Sequence, residues 1–117
     1  MATMAFTFPI LPGQTGHWRA FAAEVSGPRR AEWDDMHRRT GMTENWYLQA
    51  HPRGDAGIIY MEGDDFQAAF QRLAASDHPF DAWYREQIRQ VHGIDLARVP
   101  PGPLSETLAE SVGRPAP

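Results

Sequence analysis

The chain has 117 residues, 42% apolar, 22% charged and 11% aromatic, a size that supports one core and excludes two ordinary domains. Fifteen acidic against eleven basic residues leave a net charge of −4, so the field repels phosphate backbones and anionic membranes, and neither nucleic acid nor membrane is an expected partner. With no Cys, and with Arg supplying every basic side chain, disulfides, thiolate metal sites, thiol nucleophiles and lysine Schiff bases are all excluded.

The first ten residues lack a basic n-region and a long apolar stretch, and no segment approaches the ~20 apolar residues that span a bilayer; a cytoplasmic location is expected. Residues Ala2 to Ile10 alternate, with Met4, Phe6, Phe8 and Ile10 on one face, which predicts a half-buried strand ended by Pro12-Gly13. From Gln14 the period becomes helical: Trp18, Phe21, Ala22 and Val25 form one stripe, with Thr15 as the expected N-cap. Ser26-Gly27-Pro28 interrupts it, and a second helical segment is expected from Pro28 to Thr40, stopped by Gly41.

Thr43 to His51 predicts a second strand, with Trp46, Leu48 and Ala50 on one face and Asn45, Tyr47, Gln49 and His51 on the other. Turn chemistry at Pro52-Arg53-Gly54-Asp55 joins it to an apolar run, Ala56 to Glu62, as an antiparallel hairpin. Gly63 or Asp64 is the expected cap of a helix with the stripe Phe66, Ala69, Phe70, Leu73 and Ala74. Pro79 starts a last helix, with Phe80, Trp83, Tyr84, Ile88 and Val91 on one face and Gly93 as its stop. His92, in its last turn, suits the negative end of the helix dipole. The chain thus divides into an α+β domain, 1–93, and a Pro-rich C-terminal tail, 94–117, in which Leu104, Leu108 and Val112 are the main apolar residues.

The order β-α-β-β-α fits a ferredoxin-like antiparallel sheet with helices on one face. We expect the helices to bury Phe6, Phe8, Trp46, Leu48, Ile58 and Tyr60. Ala5, Thr7, Tyr47, Ile59 and Met61 are then left outside, on a face apolar enough to call for a second copy of the chain. A homodimer through the sheet follows.

Leu11-Pro12-Gly13, Gly27-Pro28-Arg29-Arg30-Ala31-Glu32 and Ser76-Asp77-His78-Pro79-Phe80-Asp81 resemble an uncharacterised bacterial family of small proteins similar to the dimeric α/β-barrel superfamily. That superfamily includes antibiotic-biosynthesis monooxygenases, haem-degrading enzymes, muconolactone isomerases and polyketide cyclases. The resemblance spans roughly residues 4 to 108 and implies the dimeric α/β-barrel fold without carrying over an activity. It also implies a fourth strand, for which Leu104 to Glu110 is the available segment.

Metalloprotease, dinucleotide, phosphate-loop and α/β-hydrolase motifs are absent from the sequence. His78 is the candidate acid/base, oriented by Asp77 or Asp81, or else a plain turn residue beside an N-cap. Tyr60, Trp46 and Tyr84 are expected between sheet and helices, as aromatic walls and hydroxyl donors for a flat organic ligand or simply as core. Arg29 and Arg30 either meet a ligand carboxylate or phosphate, or pair with Glu32 and Asp34. Asp34 and His37, spaced i, i+3, offer two potential metal ligands where a third, such as His17 or His78, is needed, and a solvated helix face is preferred. The chain is therefore read as a homodimer binding a small organic ligand, without metal or cofactor. The alternative is a cofactor-independent enzyme of monooxygenase, isomerase or cyclase type, with His78 as acid/base and Tyr84 or Tyr60 as hydrogen-bond donor.

Overall fold

The computed structural model describes residues 2–98 and 104–111. Strands β1 (Ala2–Pro9), β2 (Met42–Gln49) and β3 (Ala56–Gly63) form an antiparallel sheet of order β1-β3-β2. Helices α1 (Thr15–Ser26), α2 (Arg30–Thr40), α3 (Phe66–Ala75) and α4 (Pro79–His92) complete a ferredoxin-like α+β fold. No helix among the described residues is long and apolar enough to cross a membrane.

The stripes expected from helical periodicity are those that become buried. Trp18, Phe21 and Val25 on α1, Phe66, Ala69, Phe70 and Leu73 on α3, and Phe80, Tyr84, Ile88 and Val91 on α4 all enter one core, each large apolar side chain contributing about 1.5–3 kcal/mol. Gly41 and Gly93 end α2 and α4 in the left-handed conformation, which costs glycine nothing.

Helix starts differ in detail. Gln14, not Thr15, is the N-cap residue of α1, and the Thr15 hydroxyl donates instead to Asp55, 2.7 Å away. Residues 27–29 make a turn, so α2 begins at Arg30 rather than Pro28. Asp65, one residue beyond the expected cap, accepts from the Ala68 N–H and starts α3.

The larger correction concerns β3. Ile59 and Met61 pair in register with Phe6 and Met4 and lie in the core, at 4% and 2% exposure; Ile58 and Tyr60 turn to the outer face. Four consecutive apolar residues, Ile58 to Met61, carry no period-2 signal, and a one-residue shift exchanges the faces. The glycines decide the direction. A Cβ on Gly57 would come within 2.9 Å of the His92 ring and 3.3 Å of Trp18, and one on Gly63 within 2.9 Å of the Gly41 carbonyl, so the Gly57–Ile59–Met61–Gly63 side must face the helices. The outer face then carries Thr3, Thr7, Thr43, Asn45 and Glu62 around Ala5, Ile58, Tyr47 and Tyr60, and is less apolar than the sequence suggested.

Beyond α4, Ile94 and Leu96 still pack on the core. Residues 104–111 lack regular secondary structure and are exposed, bordering β1 at Thr3, Met4 and Ala5 and β3 at Tyr60. No fourth strand forms among the described residues; Pro100 to Pro103, Val112 and the final Arg114 to Pro117 lie outside them.

Candidate functional site

Alternation along β2 places Met42, Glu44, Trp46 and Leu48 on the helix side, so a carboxylate enters the interior. Glu44 is buried, and its charge is met by three donors from three elements. The Tyr84 hydroxyl donates to both oxygens (2.8 and 3.0 Å), Trp46 Nε1 to Oε1 (3.2 Å), and His37 Nε2 sits 2.8 Å from Oε2. Burial of the phenol, reinforced by the Glu44 charge beside it, pushes the Tyr84 hydroxyl well above its ordinary pKa, so Tyr84 keeps its proton as a donor. His37 must present an N–H at Nε2, since a carboxylate only accepts.

Aromatic rings enclose this cluster. Trp46 stacks on Trp18 at 4.5 Å between centroids and meets Trp33 edge-on at 5.1 Å, and Trp33 packs on the His37 ring at 4.7 Å. The space directly beneath the sheet, lined by Phe6, Ile59, Phe70 and Tyr84 among others, is a cavity of only about 20 Å³, room for one water and not for an organic ligand.

A wider concavity lies beside it. An open groove of about 330 Å³ runs between β2 (Glu44 to Tyr47), the end of α1 (Ala22, Val25, Ser26) and the start of α2 (Arg30, Trp33), within the size range of small-molecule sites. Trp33 on its wall is 8% exposed, and its indole Nε1 is buried without a hydrogen-bond partner. Buried donors in folded proteins are nearly always satisfied.

The residues singled out from the sequence do not assemble into one site. Trp46 and Tyr84 join the Glu44 cluster as described. Tyr60 does not: it sits on the outer face of the sheet, its hydroxyl raised above its usual pKa by burial and by Glu62. His78 is exposed at the start of α4, beside an open concavity of about 330 Å³ lined also by Asp35, Arg39 and Phe80; neither tyrosine lines it. Asp81 orients no histidine. It is fully buried and takes a two-pronged contact from Arg39 (2.6 and 2.9 Å) plus the Ser76 hydroxyl. Burial opposes its charge, but Arg39 and Ser76 outweigh that and hold its carboxyl below the ordinary range.

Arg29 pairs with Glu32 at 3.0 Å and lies over the Trp83 ring at 4.1 Å, so it is occupied structurally. Arg30 forms the expected i, i+4 pair with Asp34 at 2.9 Å, through Nε alone, and also lines the groove. Asp34 and His37 are thereby committed to Arg30 and Glu44, and no cluster of three or more potential metal ligands occurs among the described residues. Sequence reasoning missed Glu44. Its signal was in phase: two residues before Trp46, it falls on the buried face of a strand already predicted.

No family model and no curated protein matches this chain. Among solved structures, the crystal structure of L-rhamnose mutarotase FA22100 from Formosa agariphila is similar in fold, with a TM-score of 0.57 over 94% of this chain and 98% of that one, at 9% sequence identity. A likeness at that identity carries the architecture alone.

Proposed function

We propose that the protein binds a small organic ligand in the groove between β2, α1 and α2, and that it acts as a homodimer related to the bacterial dimeric α/β-barrel proteins its sequence resembles. One observation carries the first part: a groove of ligand size walled by Trp33 and Trp46, with the Arg30 guanidinium at its rim. A ligand ring there packs against Trp33 and Trp46. The test is native mass spectrometry of the purified protein for co-bound small molecules, repeated with Trp33→Phe. A bound compound lost in the variant supports the reading; a compound retained unchanged contradicts it.

For the dimer, the support is the outer face, where Tyr47 is 52% exposed beside Ile58 and Tyr60; tyrosine is a residue type enriched at interfaces. Tyr47→Asp is expected to shift the light-scattering mass from dimer to monomer. A wild type already monomeric at micromolar concentration contradicts it.

A second reading, a cofactor-independent isomerase acting on a cyclic hydroxylated compound, is favoured by the fold shared with a rhamnose mutarotase and by the Glu44–Tyr84 pair. In that reading the anomeric hydroxyl displaces one of the present donors to Glu44 and gives it its proton while the ring C–O bond opens and water protonates the ring oxygen; reclosure on the other face reverses both transfers and yields the other anomer. The acid/base role thus passes from His78 to Glu44. NMR exchange between rhamnose anomers, used as a probe reaction, is expected to be accelerated by the wild type and not by Glu44→Gln; no acceleration by the wild type counts against it.

A further inference from the structure

Resting on the groove reading above, we infer that the ligand class is a cyclic carboxylic acid, held with its carboxylate at Arg30 and its ring against the indoles of Trp33 and Trp46.

The polar groups along the groove are unevenly distributed. At the rim stands Arg30, whose side chain is 59% exposed and engages Asp34 only through Nε. Its two terminal nitrogens remain for a planar, two-oxygen acceptor, the geometry that a guanidinium fork matches best. Midway is the Trp33 ring, 8% exposed. Along the β2 wall, an edge strand, two of the four residues from Glu44 to Tyr47 turn both their backbone N–H and C=O groups away from β3, the Tyr47 carbonyl accepting from Trp18 Nε1.

At the floor, by contrast, Glu44 already accepts from Tyr84, Trp46 and His37, so it has little capacity left for ligand donors. Its negative charge also keeps a second carboxylate away from the floor and at the rim. The one incompletely engaged charge along the groove is a cation, and the walls are aromatic. A ring bearing a carboxylate meets both conditions. A neutral polyol leaves Arg30 unused, and a phosphate ester without a ring leaves the indoles unused.

The test is ligand-observed NMR titration of the full chain with benzoate and glucuronate, against benzyl alcohol and glucose as neutral counterparts. The acids are expected to bind at least about tenfold more tightly than their counterparts, the ratio that a charge-assisted hydrogen-bond pair supplies. Arg30→Gln, a surface change that leaves the core untouched, is expected to abolish that preference. Trp33→Phe, which shortens the aromatic wall, is expected to weaken acids and neutral compounds alike.

Equal binding of acids and neutral compounds, with both lost in Trp33→Phe, overturns the carboxylate assignment and leaves the groove reading standing. Acid binding unaffected by Arg30→Gln also overturns it. The absence of binding by any of the four compounds at about 10 mM overturns both.

Discussion

Tyr84 on α4 donates its phenolic hydrogen to both carboxylate oxygens of Glu44 on β2, at 2.8 and 3.0 Å, and this contact ties the last helix to the edge strand through the centre of the core. Its two ends are not equivalent. Tyr84→Phe leaves Glu44 with Trp46 and His37 as donors and is expected to cost about 1–2 kcal/mol. Glu44→Ala strands a buried phenol and an indole N–H together and is expected to cost about 3 kcal/mol or more. Urea unfolding of the two variants measures the difference; equal costs contradict this asymmetry.

Asp81 and Arg39 make the second buried polar link, between α4 and α2. Arg39→Met leaves a fully buried carboxylate with Ser76 as its remaining hydroxyl donor, and a loss of about 3–5 kcal/mol is expected. Adding Asp81→Leu should recover most of it. Because the folded-state pKa of Asp81 is depressed, the stability it confers is complete at neutral pH and is lost as pH falls below about 4. Acid titration of the double variant should lack that component, and an unchanged acid profile would exclude Asp81 as its source.

Gly57 is required by space, not by backbone conformation. The methyl of Gly57→Ala would meet His92 at 2.9 Å and Trp18 at 3.3 Å, a clash expected to cost about 1–3 kcal/mol. Thermal melts of this variant and of a β3 outer-face change, Ile58→Ala, distinguish a packed position from an open one. An equally stable Gly57→Ala protein contradicts the inward assignment of that face.

His92 is buried, with Nδ1 2.9 Å from the Pro9 carbonyl and Nε2 unpartnered. The carbonyl can only accept, so Nδ1 carries the hydrogen, and burial keeps the ring neutral at neutral pH. Burial lowers its pKa, with the Pro9 bond partly opposing; the unfolded chain therefore takes up the proton first, and stability declines as pH falls below about 6.5. The helix-dipole role suggested by its position does not apply to a neutral ring. His92→Gln should show a smaller drop in Tm than the wild type between about pH 7.5 and pH 5.5. Parallel drops in the two proteins would assign the effect elsewhere.

The helices were legible in the sequence because each carries one apolar stripe at a 3.6-residue period, and a single stripe can face only one way. β2 was legible for the same reason at period two. β3 was not: Ile58 and Tyr60 compete with Ile59 and Met61, and burial is decided by Gly57 and Gly63, whose importance lies in the neighbours they admit. The candidate site was partly legible. Trp46 and Tyr84 were expected in the interior and are there. Glu44 was passed over because a charged residue on a buried face contradicts hydrophobic patterning and is recognised only through its donors. Asp81 hid similarly: its partner Arg39 lies 42 positions away, which no local pattern records. His78 drew attention by its chemistry, yet Pro79 at the first position of α4 already explains the turn that exposes it.

The most direct test of the groove uses the four tryptophan indole N–H signals of the chain in nitrogen-15 NMR, followed during titration with a set of small organic compounds. The Trp33 signal, assigned by its disappearance in Trp33→Phe, is predicted to shift with the compound that binds, together with that of Trp46. A compound that binds while leaving the Trp33 signal in place, and instead perturbs residues around His78 or the outer face of the sheet, contradicts the account.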